Sequence, residues 1–344
     1  MTADTNDTNS GYGCGCLALL GLIGLLGLYY LLVEFTNIAR ETQQYEPKHY
    51  IGSINRAQQD YVLEEGNFTD NIAELGLGIS TETTDYTYSS HATPLSVINY
   101  SVSRTSDLES HVGGVFFGNI EQTGESTTFA ILCQAKSPGT NRPPAPIVED
   151  GTLQCAPGTE SIDRGNNQGI FIGEDGKLAY ISANYAKAGE YNQAIDTAET
   201  ITESWVKAKA LEVIATELAA AGKSKQALTI IEKIQAIALN LTDAGESEQA
   251  LRVTHSITDD SIKSKTIQAI APYLTTVTEH EQAIQVAKTM TDYQPKTKAL
   301  DAIVRRLIAT GNPKRAVQIA QTIQSYYGGQ DNAMAVIERY QYSQ

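Results

Sequence analysis

The apolar positions of the chain begin with one uninterrupted run. Leu17 to Val33 (LALLGLIGLLGLYYLLV) contains no charged residue over 17 positions and follows a polar, Cys/Gly-rich tail at residues 1–16. At a rise of about 1.5 Å per residue the run spans about 26 Å, close to the hydrocarbon thickness of a bilayer. A cleaved signal peptide is disfavoured, because no Lys or Arg precedes the run and no small-residue cleavage site follows it. The pattern therefore predicts a single transmembrane helix at residues 17–33.

Two different periodicities follow this run. Helical spacing over residues 36–65, interrupted by Pro47, predicts a kinked stem that stops at Gly66. The apolar face of the stem comprises Ile51, Ile54, Ala57 or Gln58, Tyr61 and Val62. Beyond it, β-branched and aromatic runs are separated by Pro, Asp, Ser and Gly, which is typical of an antiparallel meander. These runs are Asp85 to His91, Leu95 to Ser103, Val112 to Asn119 and Thr127 to Lys136.

The second half of the chain carries an internal repeat. Five similar strings occur in order, namely GEYNQAI, GKSKQAL, GESEQAL, EHEQAI and GNPKRAV. Their alanines, at separations of 33, 23, 33 and 33 residues, are Ala194, Ala227, Ala250, Ala283 and Ala316. The turn positions five residues earlier are Gly189, Gly222, Gly245, Thr278 and Gly311. These recurring separations indicate an architecture of stacked structural repeats.

Each full repeat predicts two amphipathic helices, such as Val206 to Gly222 and Ser224 to Ile234. Neither helix can bury its apolar stripe alone, so stacking of neighbouring units makes the array stable. The period resembles that of tetratricopeptide-type repeats, although the signature Trp, Tyr and Pro positions are mostly absent. The second interval, of 23 residues, is ten residues shorter than the others. It predicts that a loop and the start of the following first helix are both missing, and that the superhelical twist changes near Gln235 to Asp243. The remaining predicted boundaries are a break at Pro272, a helix start at Pro313 and a capping helix at Asp331 to Tyr340.

The residues after the membrane-length run resemble a known family. The string from Lys48 to Ser90 (KHYIGSINRAQQDYVLEEGNFTDNIAELGLGISTETTDYTYSS), the later VGGVFF, and the segments ending at Cys133 and Cys155 carry the resemblance. They resemble the type IV pilin-like (G/H) proteins of cyanobacteria, over roughly residues 36–165. The resemblance implies a pilin-type fold, in which a long amino-terminal helix lies half in the membrane and packs its outer half on an antiparallel sheet outside the cytoplasm.

These patterns together predict an α+β chain. A transmembrane and stem helix packs on an antiparallel sheet, and an all-α solenoid of tetratricopeptide-like repeats follows. The expected divisions are residues 1–16 (tail), 17–33 (transmembrane helix), 34–165 (pilin-like domain), 166–177 (linker) and 178–344 (helical repeats with a carboxy-terminal cap). We expect the pilin-like and repeat domains to be two bodies with separate cores.

Charge is distributed unevenly along the chain, whose net charge is −15. From Glu34 to Lys177 there are 8 basic and 20 acidic residues, whereas from Leu178 onward there are 17 and 18. This acidity and the lack of a basic run argue against nucleic-acid binding. By the positive-inside rule, the basic residues just after the apolar run place the bulk of the chain in the cytoplasm. These residues are Arg40, Lys48 and Arg56.

The four cysteines form two sequence pairs. Cys133 and Cys155, 22 residues apart in a Pro/Gly-rich stretch, are either a disulfide or two separate loop thiols. A disulfide would stabilise the fold by about 3 kcal/mol through chain entropy. It would also require an extracytoplasmic location and overrule the charge rule. For Cys14 and Cys16 the alternatives are metal binding, lipid attachment or small residues at a membrane edge, and the last is favoured because two ligands do not make a zinc site.

No group of residues in the sequence predicts catalysis. The histidines are scattered, and GEDGK at Gly173 to Lys177 lacks the spacing and the Ser or Thr of a phosphate loop. Carboxylates on amphipathic helices are most often a solvated face. We therefore predict a protein that is not an enzyme and has no catalytic residues, no cofactor and no metal.

Two functions from different classes follow. The first is a membrane-anchored pilin-like protein whose repeats bind another protein or an extended peptide, with both domains in the periplasm or at the cell surface. The second is a minor pilin or pseudopilin of a type IV pilus or a type II secretion-like filament. Pilins carry, by the resemblance, a Glu five positions into the mature chain, and GYGCGCLALL offers none, which favours the first. The expected partners are the bilayer, an unidentified protein or peptide, and pilus or secretion components, but not nucleic acid.

Overall fold

The computed structural model describes Tyr29, Arg40, residues 42–162 and residues 169–327. The predicted tail and transmembrane helix lie outside these residues except for Tyr29, and so does the predicted capping helix. Among the helices that are described, none has both the length and the apolar composition needed to span a bilayer. Contacts divide the chain into two compact units, Met1–His49 and Tyr50–Gln344. In the first unit, the rings of Tyr45 and His49 stack with their centroids 6.0 Å apart.

Residues 42–65 are helical and form α1, with the helical assignment continuing through Pro47. In the second unit the predicted apolar face is confirmed, because Ile51, Ile54 and Val62 are fully buried. Gln58 is buried in the same face because its amide both donates to Thr69 O, at 2.7 Å, and accepts from Thr69 N, at 3.2 Å. The helix ends, as predicted, at Gly66, whose φ of 72° is left-handed.

Eight strands follow α1 in the described residues. They are β1 (Tyr86–Ala92), β2 (Ser96–Ser103), β3 (His111–Asn119), β4 (Ser126–Ala135), β5 (Ile147–Glu149), β6 (Thr152–Gln154), β7 (Thr159–Ser161) and β8 (Ile170–Phe171). The first four confirm the predicted meander, and with β7 they form a five-stranded antiparallel sheet in the order β1-β2-β3-β4-β7. Helix α1 approaches β3 closely at Gly113, where a Cβ atom would lie 2.5 Å from Ile51 Cγ2.

A second sheet occupies the Pro/Gly-rich stretch. Its three short antiparallel strands have the order β5-β6-β8 and were not predicted from the sequence. Cys133 on β4 and Cys155 just after β6 form a disulfide with a Cα–Cα distance of 5.9 Å. The structure therefore decides between the two alternatives for this pair, and the bond ties the small sheet to the large one.

The rest of the described chain is helical. The helices are α2 (Glu174–Lys187), α3 (Tyr191–Glu199), α4 (Ser204–Ala220), α5 (Ser224–Asp243), α6 (Ser247–His255), α7 (Asp260–Ile270), α8 (Val277–Lys288), α9 (Tyr293–Ala309) and α10 (Pro313–Tyr327). Pro272 lies in a short 3-10 helix directly after α7, and Pro313 begins α10, so both proline predictions are confirmed. Strand β8 and the start of α2 lie within the predicted linker at 166–177, so part of that segment is regular structure. The reason is that β8 pairs with β6.

The repeat glycines end helices in one recurring geometry. Gly189, Gly222, Gly245 and Gly311 have φ between 74° and 82°. In each case the next residue's N–H bonds the carbonyl five residues back, for example Lys223 N to Leu218 O at 2.8 Å. This is the Schellman helix end, which favours Gly because a left-handed residue with a Cβ is strained. Thr278, the fourth turn position, instead lies in the first turn of α8, after a capping box at Thr276.

The short repeat interval has a visible cause. Helix α5 is one 20-residue helix with no turn between its two halves. Its first half follows the turn at Gly222, as a second repeat helix does, and its second half precedes the turn at Gly245, as a first repeat helix does. The connecting loop is missing, as the interval predicted. The accompanying change of superhelical twist stays a prediction.

One buried cluster joins the large sheet to the helices. It contains Val115 and Phe117 of β3 together with Ala179, Trp205 and residues as far along as Ile319. The prediction of two bodies with separate cores is therefore wrong. By strand alternation Phe117 lies on the same sheet face as Gly113, where α1 packs, and beyond the end of α1 that face is covered by Trp205 of α4.

Candidate functional site

One candidate site is a groove near the end of the helical array. It lies between α8, α9 and α10, has a volume of about 410 Å³, and is called here the α8–α10 groove. Its floor is apolar, since Ile284, Leu300 and Ile319 line it and are buried. A groove with an apolar floor and a few polar groups at its edge is suited to binding a peptide.

The edge of the α8–α10 groove is cationic. Lys288, Lys296 and Arg315 line it. Glu281 fixes the guanidinium of Arg315 with two hydrogen bonds of 2.6 Å, and these bonds raise the pKa of Arg315 above its ordinary value. No ion pair of Lys288 or Lys296 occurs among the described residues, and Lys288 is exposed. The groove therefore presents two lysine amines to an anionic group beside apolar surface.

A second cavity of about 440 Å³ lies beside α9 and the end of α7. Its charged groups are engaged within the chain. Arg305 Nε donates to Asp301 Oδ2 at 2.9 Å, and Arg306 Nε donates to the carbonyl of Leu274 at 2.6 Å. Because these groups already have partners, the α8–α10 groove is the better candidate for binding a charged ligand.

The other candidate is a group of polar side chains where α1 ends. We call Asn67, Lys209, Glu212, His255 and Lys263 the junction cluster. Asn67 follows Gly66, while the other four come from α4, α6 and α7. Lys209 is 0% exposed, and Glu212, His255 and Lys263 are each below 9%. Ionisable side chains are seldom buried to this extent unless they are paired, so this cluster needs a physical explanation.

Hydrogen bonds link most of the junction cluster. The Lys209 amine donates to Asn67 Oδ1 and, at 3.1 Å, to Glu212 Oε2. Asn67 Nδ2 lies 2.7 Å from His255 Nδ1. An amide NH₂ group can only donate, so Nδ1 is the acceptor and the proton of a neutral imidazole is on Nε2. Lys263 donates outside the cluster, to Thr289 Oγ1 at 3.1 Å.

Burial controls the protonation of the cluster. Burial lowers the pKa of Lys209, while the neighbouring carboxylate of Glu212 acts in the opposite direction. Burial, reinforced by the positive charges of Lys209 and Lys263, holds the pKa of His255 well below its ordinary value. The pKa of Lys263 is also lowered, again mainly by burial. The neutral form of His255 fits its role as an acceptor from Asn67.

Aromatic rings and one glycine lie next to residues of the junction cluster. Phe68 packs edge-on against Phe117 with their ring centroids 5.3 Å apart, and the ring centroids of Phe117 and Trp205 are 4.7 Å apart. Trp205 lies one helical turn before Lys209 on α4. At Gly66 a Cβ atom would lie 2.7 Å from His255 Cγ, and the backbone is left-handed. Only glycine fits this position without displacing His255.

The residues singled out from the sequence lie elsewhere. The Cys133–Cys155 bond joins the two sheets. The repeat alanines Ala194, Ala227, Ala250, Ala283 and Ala316 are all buried. The repeat glycines form helix ends. None of these residues lines the α8–α10 groove or belongs to the junction cluster.

Sequence reasoning missed the junction cluster because it assigned the carboxylates and amines of the repeat helices to solvated faces. A signal for it exists in α4, where Lys209 and Glu212, three residues apart, stand among KAKALEVIA. A helix that is apolar on most sides is buried on most sides, and a Lys and a Glu at helical spacing within it are then buried together. His255 and Asn67 give no such signal, because only the fold brings them to Lys209.

No group of three or more His, Cys, Asp or Glu side chains placed to hold a metal ion occurs among the residues that the structure describes.

Comparison with known proteins supports the pilin-like part of the chain. Residues 44–156 match the sequence profile of the family described as type IV pilin-like G and H. This range contains nearly all of α1, the meander β1 to β4, the strands β5 and β6, and both cysteines of the disulfide. Neither the search of curated proteins nor the search of solved structures finds a match for the chain. Residues 44–156 are thus similar to the type IV pilin-like G and H family, and the helices from α2 onward lie outside the matched range.

Proposed function

We propose that the protein is a membrane-anchored, non-enzymatic pilin-like protein whose helical repeats, stacked as a tetratricopeptide-like solenoid, bind another protein or an extended peptide. The pilin-like match supports a structural role, as is typical of that family. The observation that carries the binding role is the α8–α10 groove, where two lysines that form no ion pair within the described part of the chain stand beside a buried apolar floor. Such a groove favours a peptide that alternates acidic and apolar side chains.

The location that we propose is extracytoplasmic, in the periplasm or at the cell surface. Its support is the Cys133–Cys155 disulfide, because such bonds persist in oxidising compartments. Labelling with a membrane-impermeant thiol reagent, in cells carrying Cys14→Ser and Cys16→Ser, tests it. We expect labelling only after reduction. Labelling that requires both reduction and permeabilisation would contradict the proposed side.

The binding role is tested with a displayed library of extended peptides, selected on the full-length chain in detergent. We expect enrichment of acidic–apolar peptides, and we expect Lys288→Glu with Lys296→Glu to abolish their binding. Lys225→Glu, at an exposed position on α5 outside the groove, is the matched control and should bind like the wild type. If no peptide class is enriched, or if the control and groove variants bind alike, the groove is not the binding site.

A second candidate function is a minor pilin or pseudopilin subunit of a type IV pilus or a type II secretion-like filament. The match over residues 44–156 is compatible with it. The amino terminus of the chain isolated from membranes discriminates the two. A shortened amino terminus together with recovery in sheared filaments would favour the filament subunit.

A further inference from the structure

Lys209 is a buried nucleophile that the proposed peptide binding does not use. Its amine has two acceptors in the described structure, the amide oxygen of Asn67 and the carboxylate of Glu212. Because Oδ1 of Asn67 is bonded to Cγ, the contact also brings the amide carbon next to the amine. The amine of Lys209 thus contacts both an amide with an electrophilic carbonyl carbon and a carboxylate that can take its proton.

The surroundings favour the reactive, neutral form of the amine. Lys209 is fully buried, and burial lowers its pKa. Burial disfavours the charged form of the amine, and the neutral form is the one whose lone pair can attack a carbonyl carbon.

The amide of Asn67 is held from both ends. Its oxygen accepts from Lys209, and its nitrogen donates to His255 Nδ1. Phe68, adjacent in sequence, belongs to the row of ring contacts that continues through Phe117 to Trp205. Asn67 itself is half-buried, so water is the competing nucleophile and would hydrolyse the amide to Asp. Fixed geometry of this kind makes an intramolecular reaction much faster than its bimolecular counterpart.

We propose that Lys209 and Asn67 form an intramolecular amide cross-link, with Glu212 as the catalytic residue. Nζ of Lys209 attacks Cγ of Asn67 and forms a new N–C bond. Glu212 takes a proton from Nζ and gives one to Nδ2, the Cγ–Nδ2 bond breaks, and ammonia leaves. A primary amine and a carboxamide become a secondary amide and ammonia, so atoms and charge balance without an oxidant, a reductant or a cofactor.

The cross-link joins the end of the pilin-like helix to the helical array. It connects residues 142 positions apart in the sequence. A pulling force between the array and α1 would then be carried by covalent bonds instead of by unfolding the sheet between them. This consequence does not depend on which partner the array binds.

The test is peptide mapping and intact mass of the wild-type full-length chain after denaturation. We expect a peptide pair linked through Asn67 and Lys209, resistance to trypsin at Lys209, and a mass lower by one ammonia molecule. Glu212→Gln should lack the cross-link and retain that ammonia. Lys207→Arg, on the same helix but outside the cluster, is the matched control and should form the cross-link fully.

The proposal is overturned if the wild-type chain has its unmodified mass and is cut by trypsin at Lys209. It is also overturned if Asn67 is found as Asp with Lys209 free, since water would then be the nucleophile. Should Glu212→Gln fail to fold, Lys209→Arg supplies the unlinked reference, and the wild-type map still decides alone. A cross-linked chain that binds no peptide would separate this inference from the proposed function.

Discussion

The α8–α10 groove and the junction cluster contain the same kinds of side chain in opposite surroundings. In the groove, Lys288 is exposed and no ion pair of Lys288 or Lys296 occurs among the described residues. In the junction cluster, Lys209 is fully buried and contacts both Asn67 and Glu212. The lysines of both sites lie on the repeat helices, and the repeat register alone does not distinguish them.

The difference shows that burial decides what a lysine can do. An exposed ammonium keeps its hydration until a partner replaces it, so it contributes to recognition and makes binding depend on salt. A buried amine loses its hydration permanently, and its neighbours must either satisfy it or accept its proton. We therefore assign recognition to the groove and cohesion of the fold to the junction.

The largest expected change in the free energy of unfolding comes from substitution of Lys209. In a chain without the proposed cross-link, Lys209→Met removes one partner of a buried pair and leaves Glu212 and Asn67 without their donor, which costs about 3–5 kcal/mol of unfolding free energy. In a cross-linked chain the variant also removes the covalent link, so the loss is larger. The double variant Lys209→Met with Glu212→Met should recover part of this loss, because the charge of Glu212 is then removed together with that of Lys209. Denaturant unfolding of the full chain in detergent measures both. A single variant as stable as the wild type would show that the buried pair is unimportant.

The next effect is at the end of α1. Gly66→Ala adds a Cβ against His255 to a left-handed residue, and we expect a loss of about 2–4 kcal/mol. Gly76→Ala is the matched control, since Gly76 has a φ of 67° but nothing within 4 Å of its added Cβ. It should lose only about 1–2 kcal/mol. Equal losses in the two variants would mean that the junction tolerates a displaced His255.

A smaller effect is the pH dependence of stability from His255. Its folded-state pKa is below the ordinary value of 6.5, so the unfolded chain binds a proton more readily. The stabilisation is therefore complete above pH 6.5 and falls as the pH decreases towards the folded pKa, by at most about 1.4 kcal/mol per pH unit.

His255→Gln, which keeps a polar side chain at this position, should reduce the dependence of the unfolding free energy on pH below pH 6.5. His91→Gln, at an exposed position, is the control and should leave the curve unchanged. Unfolding free energies measured across this pH range check the prediction. A wild-type stability that does not decrease on acidification would contradict the neutral, buried state of His255.

The smallest effect on stability is at the groove. Lys288→Glu with Lys296→Glu should change the unfolding free energy by no more than about 0.5 kcal/mol, as is usual for surface substitutions. Binding of acidic–apolar peptides by the wild type should weaken as salt concentration rises, since exposed charges are screened. Salt-independent peptide binding would place the contact on the apolar floor alone. A large loss of stability would show that the two lysines support the fold instead.

The sequence predicted those elements whose cause is local. The stop at Gly66, the four long strands, the break at Pro272 and the helix start at Pro313 follow from backbone preferences and side-chain alternation. The missing loop at α5 follows equally directly from the length of one repeat interval. In each case the residues that determine the element lie within it.

The features that the sequence did not predict depend on distant contacts. Strands β5, β6 and β8 are two or three residues long and exist through pairing with one another. Lys209 is buried because α4 packs against other helices and against β3, which together cover this side chain. The shared core was also missed, because Phe117 and Trp205 meet only after the sheet and the array have folded together.

The central claim is that the large sheet and the helical array form one cooperative unit held at the junction. Trp205, the single tryptophan, packs on Phe117 between them and reports on this contact. Denaturant unfolding of the full chain, followed by Trp205 fluorescence and by far-ultraviolet circular dichroism, tests the claim directly. We predict that the two transitions coincide. A fluorescence transition complete at a denaturant concentration where the helical signal is still intact would contradict the claim.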